Sequence, residues 1–279
     1  MQRALVKLFR FVPVPVFYAF TALAIPFYML FDRRGYKASY RFFRRRMGWN
    51  ALRSFLGVYV NEFRMGQVVM DRFAFYAGRP FDLQIEGMDA FDRLAAGEPG
   101  FIQVSSHVGN YELAGYSLRS EHKPMHALVF PGETQTVMEQ RSALFERSNI
   151  DMVPIAEDMS HLFVLNGALL SGDIVSMPGD RIYGSQKVIS CPFFGQDARF
   201  PAGPFLLAVR REVAMLAVFV MKEGLRRYRI FVHQIGEGCK RSLPARARAE
   251  LFAEEFARRL EEVVRRYPTQ WFNFYDFWK

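Results

Sequence analysis

Cysteine is scarce: among the 279 residues only Cys191 and Cys239 occur. Two cysteines cannot build a disulfide framework, and neither belongs to a Cys-x-x-Cys pair. The five histidines are scattered, without the spacing of a zinc site, so no metal and no redox cofactor is expected. There is no internal repeat and no linker rich in Pro, Gly or Ser. With 51% hydrophobic and 23% charged residues the chain is neither disordered nor collagen-like. Acidic residues are the minority charge, 28 against 37 Lys and Arg, which leaves a net charge of +9. That balance suits nucleic acid, an anionic membrane surface or an acidic small substrate. Phe is abundant, at 29 residues, and points to contact with lipid.

Charge is absent from residues 11–31, a run long enough to cross a hydrocarbon core of roughly 30 Å. Lys7 and Arg10 precede it. Arg33, Arg34, Lys37, Arg41, Arg44, Arg45 and Arg46 follow it, opposed only by Asp32. No small-x-small cleavage site follows, which disfavours a removed signal peptide. The larger positive excess on the C-terminal side places the bulk of the chain in the cytoplasm. Pro13, Pro15 and Pro26 disturb a simple span, so a bent anchor lying in the interface is a second reading and a buried core helix a third. Tyr40, Phe42, Phe43, Met47 and Trp49 lie among or just beyond the cations, a mixture that suits the headgroup region of an anionic leaflet. Nucleic acid is not expected, because the basic cluster adjoins an apolar run and no nucleic-acid module. The simplest division is an anchor with its basic segment over 1–47 and a catalytic domain over 48–279.

Residues 48–77 carry helical periodicity. Short apolar runs then recur at 101–104, 127–130, 152–155, 174–177, 213–220 and 228–232. Helical stretches separate several of them, near 110–120, 134–148, 158–171 and 203–211. Strands alternating with helices predict an α/β fold with a largely parallel, mixed sheet flanked by helices. A charged helix over 243–266 follows, with Pro268 as its stop.

The segment FIQVSSHVGNYELAGY holds the strongest chemistry. His107 stands where a strand passes into a helix, the position at which open α/β sheets build sites. Glu112 lies five residues on, in the first helical turn, with Asn110 as the expected N-cap. One reading is a catalytic dyad: Glu112 fixes the imidazole tautomer and the other ring nitrogen takes a proton from an attacking hydroxyl. The other is a buried histidine beside a routine helix cap. No Ser or Cys stands in a nucleophile elbow, so direct transfer is expected. Arg181 suits bidentate binding of phosphate, with Asp180 orienting it or capping the turn; a plain surface turn is the alternative. Arg199 and residues 200–204 line an acyl or acceptor groove in this reading. Backbone amides near Gly109 and Asn110, or Arg181, would face a developing oxyanion. The aromatic tail from Trp271 onward is broken by Gln270, Asn273 and Asp276, which favours packing on the domain over membrane insertion.

His107-x-x-x-x-Glu112 after an apolar strand resembles the signature of glycerolipid and lipid A acyltransferases. Gly-Asp-Arg at 179–181, Pro-Phe-Phe-Gly at 192–195, Phe-Pro-Ala-Gly-Pro at 200–204 and the closing PTQWFNFYDFWK resemble the late lipid A acyltransferases, the lauroyl/myristoyl branch. The resemblance covers roughly residues 80–279. It implies a glycerolipid acyltransferase-like fold behind a hydrophobic anchor, on the cytoplasmic face of a bacterial inner membrane. It also implies an acyl thioester donor, carrier protein or coenzyme A, a glycolipid acceptor such as a lipid A precursor, His107 as base and Glu112 as its partner. The rival reading is a non-catalytic protein that binds anionic lipid at a membrane surface.

Overall fold

Among the described residues, helices α1 (Val14–Phe31), α2 (Arg33–Arg45) and α3 (Ala51–Tyr76) lie ahead of the first strand. The computed structural model describes residues 8–9, 11–130, 149–182 and 187–278; the helix expected over 134–148 lies outside them. An edge strand, β1 (Asp82–Glu86), joins the six strands that carry the apolar runs: β2 (Phe101–Gly109), β3 (Met125–Val129), β4 (Ile150–Pro154), β5 (Ile174–Pro178), β8 (Met215–Lys222) and β9 (Arg227–Ile235). They form one sheet in the order β1-β9-β8-β2-β5-β3-β4. β8, β2, β5, β3 and β4 run parallel, whereas β9 is antiparallel to β8 and β1 follows β9. Every residue of β8 is buried, as a central strand covered on both faces requires. Strand β1 escapes sequence reading because it is short and exposes alternate residues at a sheet edge.

Helices α4 (Met88–Ala96) and α5 (Tyr111–Ser117) cover one face, where Phe91 and Leu113 join Phe101, Leu216 and Ile230 in one core. Helices α6 (Ser160–Leu170), α7 (Gly203–Arg211) and α8 (Ala245–Arg266) cover the other, where Leu165, Phe205 and Phe256 meet Ile102, Val104 and Phe219. Phe42 and Phe43 of α2 belong to this second core, and Trp49 stacks on Phe43. These three aromatics, expected among lipid headgroups, therefore pack into the body. The tail does the same: Trp271 and Phe277 are buried against Phe193.

β6 (Val188–Phe193) and β7 (Gln196–Pro201) form a separate hairpin. Its two turn residues, Phe194 and Gly195, both have positive φ, 51° and 75°, the demand of a two-residue turn matched to strand twist. The Phe194 amide donates to Glu261 of α8, which docks the turn.

Helix α1 lies along α3. Pro26 removes the hydrogen bond that the Ala22 carbonyl would have received. The Tyr59 hydroxyl of α3 donates to that carbonyl instead, at 3.2 Å. Thr21 faces Gly66, where any side chain would collide with its methyl group. Tyr18 donates to Asp71, whose other oxygen receives the Lys222 ammonium at 2.6 Å. The outward side of α1 exposes Phe20, Leu23, Phe27, Leu30 and Phe31.

Candidate active site

His107 sits near the C-terminal end of β2, where the strand departs from its neighbours. β2 pairs with β5 only as far as Ser105, and its register with β8 shifts between Ser105 and Gly109. Gly109 resumes the pairing at φ 50°, so close to β8 that a β-carbon would stand 1.9 Å from the Val220 carbonyl oxygen. Only glycine permits that approach.

Asp180 reaches His107 from the end of β5. Gly179 passes so near Val104 and Phe256 that a β-carbon would lie 2.5 and 2.8 Å from them. This close passage brings the Asp180 carboxylate onto the imidazole: Oδ1 lies 2.8 Å from Nδ1, and Oδ2 accepts the His107 backbone N–H at 2.8 Å. The Asp180 side chain is fully buried and the His107 side chain 22% exposed. Burial alone would push the Asp180 carboxyl up. The imidazole, its hydrogen bonds and neighbouring Arg181 outweigh that and hold it below the usual carboxylate range. With Nδ1–H donated to Asp180, Nε2 is the nitrogen left to accept a proton.

Nδ1 is thus taken by Asp180, whereas Glu112, expected to accept from one imidazole nitrogen, lines the pocket beside His107 and also meets α3. It lies in the first turn of α5, beside α3. Arg72 approaches it at 3.1 Å, and the Tyr76 hydroxyl donates to it at 3.0 Å. Burial pushes the Arg72 guanidinium down, but Glu112, Tyr111 and Tyr76 hold it above its ordinary value. Asn110 occupies the N-cap position without a side-chain cap bond, and its backbone N–H donates to the Val220 carbonyl at 2.8 Å. That amide, expected to face an oxyanion, is thus engaged in the sheet.

Arg181 turns to the tail. It donates to Asn273 Oδ1 at 2.6 Å and to the Phe272 carbonyl at 2.7 Å, and its guanidinium lies over the Tyr275 ring. Arg199 stands exposed on β7, outside the lining of the His107 pocket.

That pocket opens beside His107 between α5 and the sheet. Ser105, Ser176, Ala127 and Gly115 are small residues in its wall, and Met125, Leu128, Val129, Phe130 and Ile150 make it apolar. Tyr111 stands at the same pocket, its ring centroid 5.3 Å from that of His107. The arrangement unites a buried carboxylate–imidazole couple with a cavity suited to a hydrocarbon chain. Among the described residues no group of His, Cys, Asp and Glu is placed to hold a metal ion. Sequence reading missed Asp180 as the imidazole partner. No local signal joins the two residues, because only the pairing of β2 with β5 brings them together.

The family model described as bacterial lipid A biosynthesis acyltransferase matches residues 63–279. Phosphatidylinositol mannoside acyltransferases of two Mycobacterium tuberculosis strains are 25% identical over 147 residues, covering 52% of this chain and 46% of theirs. The match thus spans about half the length of these curated relatives. The crystal structure of the 1-acyl-sn-glycerophosphate (LPA) acyltransferase of Thermotoga maritima aligns with a TM-score of 0.39 and 14% identity. That alignment covers 94% of this chain and 98% of that one.

Proposed function

This chain belongs to the bacterial lipid A biosynthesis acyltransferase family, and from that premise we propose that it moves a fatty acyl group from a thioester to a hydroxyl of a glycolipid. The observation that carries the reading is the His107–Asp180 couple at the wall of an apolar pocket. The acceptor oxygen attacks the thioester carbonyl while Nε2 of His107 takes its proton. Asp180 stabilises the imidazolium that forms. Collapse of the tetrahedral intermediate breaks the carbon–sulfur bond, and the thiolate leaves with the proton returned from Nε2. In this reading Glu112, expected as the partner of the imidazole, serves instead to hold α5 against α3 through Arg72 and Tyr76. The thioester belongs to a carrier protein or to coenzyme A, and the phosphatidylinositol mannoside and lipid A relatives both point to a glycosylated lipid as acceptor. Mass spectrometry of lipids from cells with and without the protein tests this. Loss of one acylated glycolipid, with accumulation of the species one acyl group lighter, is the expected result; an unchanged lipid profile overturns it.

The acyl chain lies in the pocket beneath α5. Ala127→Leu narrows that space, and excluding about two methylenes at about 0.8 kcal/mol each is worth roughly tenfold in binding. The variant is expected to shift preference toward shorter thioesters by about that factor. Equal losses for all chain lengths would place the chain elsewhere.

Helix α1, at mean hydropathy 1.8, is long and apolar enough to cross a membrane. Its contacts favour the interface instead. One side is bound to α3 through Tyr18, Thr21 and Ala22, beside buried Asp71 and Lys222, and a hydrocarbon core cannot surround that body. The exposed stripe of α1 and the exposed cations Arg33, Arg34, Lys37, Arg41, Arg44 and Arg45 then meet one anionic leaflet, on the cytoplasmic side. This contact unit falls within the proposed anchor region, residues 1–47, and 48–279 carry the chemistry. Each such cation adds about 1 kcal/mol of attraction. Alkaline carbonate is expected to extract the intact protein, and Phe20→Glu with Phe27→Glu to weaken vesicle binding; retention in the membrane pellet at high pH would establish a spanning helix.

A further inference from the structure

The two main-chain groups of His107 lack strand partners, because β2 has left β5 and its register with β8 is broken there. The N–H is taken by Asp180 Oδ2. The carbonyl accepts from the Phe272 N–H at 2.9 Å, beside an antiparallel bridge between Val108 and Trp271. The C-terminal segment thus supplies the contact that the sheet does not. Arg181 holds that segment in place through the Phe272 carbonyl and the buried Asn273 amide. Gln270 fixes its other end by exchanging two hydrogen bonds with the backbone of Lys222 on β8, at 2.8 and 2.9 Å. The contacts close on themselves: His107 to Asp180, along the chain to Arg181, across to Phe272 and back to His107.

We propose that Arg181, acting through Phe272 and Asn273, is a positioning residue for His107 and not a ligand of substrate phosphate. Adjacent residues serve the two sides of one histidine: Asp180 holds its ring and N–H, and Arg181 holds the strap that binds its carbonyl. A guanidinium is required because it makes two directed hydrogen bonds in one plane, which an ammonium on a flexible stem does not reproduce. The inference rests on the reading of His107 as the base.

The test uses the full chain with an acyl thioester and a glycolipid acceptor. Arg181→Lys is expected to lower kcat about 10- to 100-fold, the scale of an ångström-level misplacement, with KM for both substrates within about twofold. Asn273→Ala is expected to lower kcat in the same way. Asn273→Asp, which keeps an acceptor for Arg181, recovers most of it. In a His107→Ala background Arg181→Lys should cost nothing further, because the residue acts through the histidine. A raised KM with intact kcat, or the same loss on top of His107→Ala, overturns the positioning role. Full activity of His107→Ala by itself overturns the underlying base assignment instead. Melting curves identify any variant that fails to fold, and the Asn273→Ala and Asn273→Asp pair carries the test if Arg181→Lys is one.

Discussion

His107→Ala is expected to lose at least a hundredfold of transferase rate, and Asp180→Asn to lose about 10² to 10⁴, the span of a general base contribution. The Asp180 substitution is the sharper of the two. The carboxylate accepts from both the His107 backbone N–H and Nδ1–H. An asparagine that keeps its oxygen on the backbone N–H presents its NH₂ group to Nδ1. That nitrogen must then be the acceptor, the ring proton moves to Nε2, and the base has nowhere to put the proton of the attacking hydroxyl. Folding is little affected, because the amide has the shape of the carboxylate. Glu112→Gln supplies the contrast. Glu112 binds Arg72 and Tyr76, so this substitution is expected to lower stability while sparing most of kcat. Steady-state kinetics on the three variants decide between the carboxylates: a large kcat loss for Glu112→Gln with little for Asp180→Asn would restore the pairing suggested by the sequence spacing.

Asp71→Ala is expected to destabilise the fold by about 3–5 kcal/mol, the cost of leaving one half of a buried ion pair alone. Asp71 and Lys222 are almost fully removed from solvent, and Asp71 also accepts from the hydroxyls of Tyr18 and Tyr228. Burial pushes the Lys222 ammonium down and Asp71 opposes that shift, so removal of the carboxylate leaves a costly buried cation and takes an acceptor from both phenols. The melting temperature is expected to fall on the order of 10 °C. Replacing both members, Asp71→Leu with Lys222→Met, removes the stranded charge and should recover most of the loss. A melting temperature for Asp71→Ala within about two degrees of the native protein would show that the pair is not a structural hub. Tyr18 makes this cluster the point at which α1 joins the catalytic body. Membrane association should therefore weaken together with stability in Asp71→Ala.

Local pattern was enough for the elements that depend on local pattern. The apolar runs at 101–104, 174–177 and 228–232 lie within β2, β5 and β9, and the periodicity over 48–77 and 243–266 matches α3 and α8. Burial on two faces imposes continuous apolar runs, and burial on one imposes a helical stripe, whatever the topology. His107 was legible for a related reason: a strand-to-helix junction is a local signal. Its partner was not. Glu112 is five residues away along the chain, yet Nδ1 binds Asp180, which is distant in sequence and near in space only because β2 and β5 pair side by side. The order of strands in a sheet is a property of long-range packing, and no periodicity encodes it. Arg181 shows the same limit. A guanidinium after a strand end suits phosphate on chemical grounds alone, but the folded tail places an amide and a carbonyl within its reach. The aromatics of the basic segment were likewise ambiguous: Phe42 and Phe43 have the chemistry of an interface, and the core claims them because α2 packs on α3 and the tail. Composition and spacing determined which chemical groups this protein has available; only the tertiary structure decided which of them meet, because each side chain takes the partner that burial brings to it.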